Sequence, residues 1–199
     1  MKINQAVIVC GGYGKRLGKI TLKTPKPLIK VKKLTVLDYI IKNLTRFGIN
    51  KVILLCHYKY EIFKKKYHNQ EIFGATVSCI KEKKLLGSSG ALLNAKKKLN
   101  ENFIFCNGDT FFDININDLI SEFFKKKNLS AFVALKKLKL TKGKDTFKLG
   151  EKYRLLKDDK KKSKLINSGI YVLSKKIITD LVKLGSLEKN VFPKLIIKK

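Results

Sequence analysis

The sequence lacks the features that mark membrane-spanning and secreted proteins. No apolar stretch approaches the ~18 residues that a helix needs to cross a bilayer. Residues 1–10 contain a single lysine and one short apolar run, too little for the charged and apolar regions of a signal peptide. We therefore expect a cytoplasmic protein with no membrane partner.

Cysteine is also sparse, with four residues that share no metal-ligand spacing. Each cysteine lies in or at the end of an apolar run that is typical of a buried strand. Free, buried thiols fit a reducing cytosol. The four are Cys10, Cys56, Cys79 and Cys106.

Acidic residues and arginine are scarce as well. Forty-five Lys and Arg against 15 Asp and Glu give a net charge of +30, which is typical of proteins that bind nucleic acid or membrane surfaces. Only Arg16, Arg46 and Arg154 are arginines, and the lysines are scattered through every segment. Specific recognition of phosphates and bases favours arginine clustered on one face. We expect weak, salt-sensitive binding to polyanions, and we expect that nucleic acid is not the true ligand.

The pattern that is present predicts one α/β domain over residues 1–199. At 44% hydrophobic residues, the chain can bury a proper core. Short apolar runs alternate with amphipathic segments, as in βαβ units with a mainly parallel sheet flanked by helices. Residues 136–164 are rich in lysine and weakly patterned, so we expect an excursion from the main sheet, with a hairpin and loops. The predicted strands are 6–10, 52–56, 76–80, 103–106, 131–135 and 165–173, and the predicted helices are 36–47, 59–67, 89–99, 116–126 and 175–184.

A glycine-rich loop follows the first predicted strand. Its glycines let the backbone approach a ligand, and their N–H groups can line an anion site at the carboxyl edge of the sheet. A dinucleotide fingerprint is excluded because its third glycine would fall at Leu17, and a P-loop is excluded because Ile20 replaces Ser or Thr. A tight strand-to-helix turn without a ligand stays open as an alternative. The candidate residues are Gly11, Gly12, Gly14, Lys15 and Arg16.

Four segments in order (GGYGKRL, TPKPL, LLGSSGAL and NGD) resemble the sugar-phosphate nucleotidyltransferases, which make NDP-sugars. The forms NGDTFFDI and LINSGIYVL are most similar to the guanylyltransferases of D-glycero-D-manno-heptose 1-phosphate and mannose 1-phosphate. The resemblance implies a Rossmann-like fold and Mg²⁺. It also implies attack of a sugar 1-phosphate oxygen on the α-phosphorus of an NTP, with release of pyrophosphate, for surface polysaccharide or lipopolysaccharide precursors. Relatives often dimerise, so a homodimer is compatible with it.

The resemblance also implies roles for individual residues. Arg16 and Lys26 would stabilise phosphate charge, and Asp109 would be a Mg²⁺ ligand at the end of a strand. A carboxylate at Glu82 could accept from both N1–H and the 2-amino group of guanine, which favours GTP. The expected nucleotide-binding residues are Gly11, Gly12, Gly14, Lys15, Glu82, Gly87 and Ser88, and the expected sugar-binding residues are Asn167, Gly169 and Lys160.

The chain departs from the family pattern at several positions. Lys15 stands where Ser or Thr is usual, and Leu85 replaces the customary proline. Relatives continue after the Val-Phe-Pro-Lys segment to a second metal-binding aspartate, so the chain looks C-terminally truncated and Asp109 would be the sole protein ligand. A nucleotide-binding protein that has lost catalysis is therefore an alternative, and a basic polyanion-binding protein is a third.

Overall fold

A computed structural model describes residues 2–139, 146–150, 155–158 and 163–197. Nine strands of the described chain form one sheet, and β2 and β3 form a separate antiparallel hairpin. The strands are β1 (Gln5–Val9), β2 (Lys30–Val31), β3 (Leu34–Thr35), β4 (Lys51–Cys56), β5 (Gln70–Ile72), β6 (Ala75–Lys81), β7 (Asn102–Asn107), β8 (Ala131–Lys137), β9 (Thr146–Leu149), β10 (Leu155–Lys157) and β11 (Leu165–Ser174). The α-helices are α1 (Lys19–Lys23), α2 (Val36–Thr45), α3 (Tyr60–Tyr67), α4 (Gly87–Asn94), α5 (Ile116–Lys125) and α6 (Phe192–Ile197).

The centre of the sheet is parallel, in the order β7-β1-β4-β6. Strand β5 pairs antiparallel with β6 on one side, and β11 pairs antiparallel with β7 on the other. Beyond β11 lie β9 and β10, and β8 also pairs with β11. The α/β class is confirmed. The described part of residues 136–164 includes β9 and β10, which pair antiparallel, and β9 also pairs with β11, so these two strands extend the main sheet.

Apolar side chains cover both faces of the sheet, which explains the continuous apolar runs of its central strands. Along β1, Ala6 and Ile8 face the core formed with α2, α3 and α5, whereas Val7 faces the core that contains α4 and the chain near Ile177 and Leu187. The helices thus sandwich the sheet in three layers. All four cysteines are free and buried in this core, as predicted.

Helix α2 begins with a capping box. Asp38 N–H donates to Thr35 Oγ1 at 3.1 Å, and Thr35 N–H donates to Asp38 Oδ2 at 2.9 Å. Burial, the largest influence, raises the pKa of Asp38, but hydrogen bonds from Lys66, Tyr67 and Thr35 outweigh it and hold the pKa below its usual value. The helix ends at Thr45, two residues before the predicted end, so Gly48 (φ +81°) lies beyond the cap.

The prediction of a helix over residues 175–184 is wrong. The chain forms a 3₁₀ helix over Lys175–Asp180 and then leaves the helical path at Leu181 (φ −69°, ψ 144°). Val182 N–H donates to Ser89 Oγ at 2.8 Å, which draws this segment across the start of α4. The predicted helix 89–99 likewise begins earlier, at Gly87, and ends at Asn94, with a 3₁₀ turn over Lys96–Lys98. No helix of the described residues is long and apolar enough to cross a membrane.

Candidate functional site

The predicted site residues converge at the carboxyl edge of the central parallel strands. The glycine loop follows β1, Glu82 follows β6 and Asp109 follows β7. Backbone hydrogen bonds prolong the sheet to this edge, because Gly108 N–H donates to the Val9 carbonyl at 2.9 Å and Glu82 N–H donates to the Cys56 carbonyl at 2.8 Å. The carboxyl ends of parallel strands in an open α/β sheet are where ligands bind.

Lys26 and Asp109 form an ion pair at the centre of this edge. The Lys26 ammonium lies 2.7 Å from Asp109 Oδ2, although the two residues are 83 positions apart. Lys26 begins a short 3₁₀ helix between the buried Pro25 and Pro27, which fixes its backbone. The two side chains are 32% and 36% exposed, so the pair is solvated and a phosphate or a cation can reach either member.

The three loop glycines differ in what requires them. A Cβ atom at Gly11 would lie 2.8 Å from Glu82 Oε1, and one at Gly14 (φ +66°) would lie 2.8 Å from Thr21 Cγ2. Gly12 has neither a positive φ nor a neighbouring atom within 4 Å of its missing Cβ. The absent side chain of Gly12 therefore leaves the loop surface open to an approaching ligand.

The cationic side chains of the loop are exposed. Lys15 and Arg16 lie in the 3₁₀ turn Lys15–Leu17, and the described residues include no hydrogen-bond or ion-pair partner for Arg16. The Lys15 ammonium stands 5.9 Å from the centroid of the Tyr13 ring. An exposed guanidinium at the carboxyl edge of the sheet is available to an anionic ligand.

Aromatic contacts that the sequence motifs do not include hold the glycine loop in place. His57 Nδ1 donates to the Glu82 carbonyl at 3.0 Å, and in the neutral ring Nε2 accepts from the Tyr13 hydroxyl at 3.3 Å. The Tyr13 ring also packs against Tyr58, with centroids 5.2 Å apart. The sequence motifs do not single out His57 and Tyr58. Their position directly after the buried strand β4 is the only sequence feature that places them at this edge of the sheet.

Glu82 is a buried carboxylate beneath the glycine loop. It is 3% exposed, and Oε2 accepts a hydrogen bond from Leu86 N–H at 3.2 Å. Burial raises the pKa of Glu82, and the hydrogen bond from Leu86 lowers it by less. Within the described residues Oε1 accepts no hydrogen bond, and it lies directly under the backbone of Gly11.

Gly87 and Ser88 contact the chain over residues 182–191. A Cβ atom at Gly87 (φ +73°) would lie 2.3 Å from the Gly185 carbonyl oxygen. Ser88 Oγ accepts from Leu187 N–H at 2.9 Å and donates to Glu188 Oε2 at 3.2 Å. The glycine is therefore required by packing even without a nucleotide, and a nucleotide-binding role for both residues stays a prediction.

The expected sugar residues lie on β11, beside β7. Gly169 (φ +79°) is pressed against the strand end, since its Cβ atom would lie 2.8 Å from Asn107 Nδ2. Asn167 Oδ1 accepts from Gly169 N–H at 2.8 Å. The close approach of Gly169 to Asn107 places β11 against the end of β7, two residues before Asp109. Lys160, the third expected sugar residue, lies outside the described residues.

Asp109 would need further ligands, such as substrate phosphates and water, to hold Mg²⁺. The described residues contain no group of three or more His, Cys, Asp or Glu side chains that could hold a metal ion. Mg²⁺ is commonly bound by one or two carboxylates with substrate phosphates and water completing its shell. The half-exposed Asp109 beside the glycine loop fits that arrangement, with phosphates as the remaining ligands.

Comparisons with known proteins identify the family of this chain. The sequence model of the nucleotidyl transferase family matches residues 5–196. D-glycero-alpha-D-manno-heptose 1-phosphate guanylyltransferase of Campylobacter jejuni subsp. jejuni serotype O:2 is 35% identical over 179 residues, covering 88% of this chain and 78% of the relative. Mannose-1-phosphate guanyltransferase beta-B of Xenopus laevis is 31% identical over 205 residues; the match covers 95% of this chain but 55% of that relative, so this chain spans about half its length.

A solved structure shares the fold. HddC from Yersinia pseudotuberculosis superposes with a TM-score of 0.81 at 25% identity, covering 96% of this chain and 86% of that one, and it has also been solved in complex with GMP-PN. The resemblance predicted from the four motifs is confirmed, as is the Rossmann-like fold with its flanking helices. The chain belongs to the nucleotidyl transferase family.

Proposed function

We propose that this chain is a sugar-1-phosphate guanylyltransferase, which joins GTP to a heptose or mannose 1-phosphate and releases pyrophosphate. The observation that carries the proposal is the Lys26–Asp109 ion pair, which brings a cation and a carboxylate together beside the open glycine loop. The names of the Campylobacter and Xenopus relatives support the guanylyl group and the two sugars, and the GMP-PN complex of the Yersinia protein supports a guanine nucleotide. The product would be a precursor of surface polysaccharide.

Catalysis by these residues would consist of positioning and charge neutralisation. A phosphate oxygen of the sugar 1-phosphate attacks the α-phosphorus, and the bond from that phosphorus to the α–β bridging oxygen breaks. The electron pair leaves with pyrophosphate, and Arg16 stabilises its developing charge. Lys26, released from Asp109 when phosphates bind, orients a phosphate oxygen. Asp109 would hold Mg²⁺, which when bound would supply further charge neutralisation.

Selection of the base and the sugar rests on other residues. The Glu82 carboxylate is the acceptor we assign to guanine, because N1–H and the 2-amino group together present two donors, which uracil and thymine do not. Gly11, Gly12 and Gly14 let the loop N–H groups and Lys15 approach the phosphates. Asn167, Gly169 and Lys160 are assigned to the sugar. The buried free thiols fit a cytoplasmic reaction.

A catalytically silent nucleotide-binding protein is the second candidate. It is favoured by the single carboxylate, Asp109, at the centre of the described site and by the absence of a metal-holding cluster from the described residues. In this case the loop and Glu82 would still bind GTP, and no pyrophosphate would be released.

The deciding experiment measures pyrophosphate release with Mg²⁺, testing the common NTPs against heptose, mannose and glucose 1-phosphates. Asp109→Asn should lower turnover by at least about 100-fold, the scale of losing one charge-stabilising group. Asp113→Asn is the matched control, because Asp113 is exposed in the same loop. If the unmodified chain is folded and binds GTP but shows no turnover, the second candidate function is established. If it neither binds GTP nor shows turnover, both candidate functions are refuted.

A further inference from the structure

The chain that crosses the start of α4 is fastened to it at several points. Gly185 N–H donates to the Leu86 carbonyl at 2.9 Å, and Ser89 N–H donates to the Gly185 carbonyl at 3.0 Å. Ser89 Oγ also donates to the Val182 carbonyl at 3.1 Å. We refer to residues 182–191 as the crossing segment. Its π-helix, Leu187–Val191, has a geometry that frequently marks functional sites.

Glu188, in this π-helix, bridges two parts of the site with its two carboxylate oxygens. Oε2 accepts from Ser88 Oγ at 3.2 Å, at the start of α4. Oε1 accepts from the Tyr171 hydroxyl at 2.9 Å, on β11. Both partners donate to it, so the bridge as built suits the charged carboxylate.

The bridge continues to the expected sugar residues. Tyr171 is fully buried, and its hydroxyl accepts from Asn167 Nδ2 at 2.5 Å. Asn167 Oδ1 in turn accepts from Gly169 N–H at 2.8 Å. A continuous chain of hydrogen bonds therefore runs from Ser88, expected at the nucleotide, to Asn167 and Gly169, expected at the sugar.

We propose that Glu188 is a positioning residue that couples the nucleotide and sugar 1-phosphate subsites, an inference that rests on the proposed function. A nucleotide that fixes the start of α4 would fix Ser88 and, through Glu188 and Tyr171, the orientation of the Asn167 amide. Because the Asn167 amide is then already oriented, the sugar 1-phosphate binds with higher affinity. Coupling of this kind is reciprocal, so the sugar 1-phosphate must raise the affinity for the nucleotide by the same factor.

The test measures that factor by calorimetry with Mg²⁺. The probes are mannose 1-phosphate and D-glycero-D-manno-heptose 1-phosphate, each titrated with and without a GTP analogue that carries a methylene group at the α–β bridge. In the unmodified chain we expect at least about fivefold tightening in both directions. In Glu188→Gln the coupling factor should fall to near one, because the amide has one acceptor oxygen and cannot accept from both hydroxyls at once. The affinity for the analogue alone should stay within about twofold.

Two further variants separate coupling from stability. Tyr171→Phe removes the same link while keeping the buried ring, so it should also abolish the coupling. Ser89→Ala is the matched control, because Ser89 fastens the crossing segment without contacting Glu188, and it should lower the melting temperature and leave the factor unchanged.

The outcomes distinguish this inference from the function beneath it. Coupling that persists in folded Glu188→Gln or Tyr171→Phe, or that is absent from an unmodified chain that releases pyrophosphate, overturns the inference alone. An unmodified chain that binds neither the analogue nor a sugar 1-phosphate overturns the proposed function and the inference together.

Discussion

Replacing Gly87 by alanine should destabilise the fold more than its backbone conformation alone explains. A left-handed residue with a side chain costs about 1–2 kcal/mol. The new Cβ atom would also lie 2.3 Å from the Gly185 carbonyl oxygen, which already accepts from Ser89 N–H at 3.0 Å. Overpacking of this kind costs about 1–3 kcal/mol. The expected loss in the free energy of unfolding is therefore about 2–5 kcal/mol.

Gly74→Ala is the matched control for the backbone term. Gly74 also has a positive φ, +83°, but nothing lies within 4 Å of its missing Cβ atom. Its variant should lose about 1–2 kcal/mol, so the difference between the two variants isolates the clash.

Urea unfolding at neutral pH measures both losses, with unchanged m-values as the sign that the same surface is exposed. Equal losses in the two variants would show that the crossing segment moves aside at no cost. In that case the close contact would not explain the glycine, and its left-handed backbone (φ +73°) would be the reason that the structure supports.

Three further predictions concern single residues. Gly12→Ala should change the free energy of unfolding by less than about 0.5 kcal/mol, because nothing surrounds the new Cβ, yet lower GTP affinity by calorimetry; unchanged affinity would contradict ligand approach at this loop. Because the pKa of Glu82 is raised, GTP affinity should fall on acidification through a pH above the ordinary glutamate value of ~4.3, and Glu82→Gln should flatten that profile. Because the pKa of Asp38 is lowered, its contribution to stability is present above the unfolded value of ~3.9 and is lost as pH falls through the folded value, so urea unfolding of Asp38→Asn should depend less on pH in that window.

Local sequence signals predicted the central sheet well. Residues 6–10, 52–56 and 103–106 are apolar on both faces, whereas Thr76 and Ser78 alternate with buried side chains in residues 76–80. Each segment lies in a strand of the parallel centre to within one residue at either end. The capping box of α2 was predictable for the same reason, because both of its members lie within one turn.

Contacts between distant residues account for what the sequence did not show. Residues 175–184 have helical spacing, but the Val182 N–H donates to the Oγ atom of Ser89, 93 positions away, instead of to a carbonyl within a helix. Glu188 is an ordinary glutamate in sequence, and only the fold brings it to Ser88, 100 positions away. The Lys26–Asp109 pair was partly predictable, since each residue was singled out by its motif, although nothing in the motifs says that they touch.

The large positive charge must be separated from the selectivity of the site. A net charge of +30 attracts every polyphosphate, so it raises the affinity for all nucleotides alike. Discrimination between bases would have to come from hydrogen-bond acceptors for the base and from backbone that lies close to the ligand. In this chain these are Glu82 and the glycine loop. Raising the salt concentration should therefore weaken GTP and UTP by a similar factor and leave the ratio of their dissociation constants unchanged. If the ratio of the two dissociation constants falls toward one at high salt, the selectivity arises from the lysines instead. The basic surface would then be the main determinant of ligand binding.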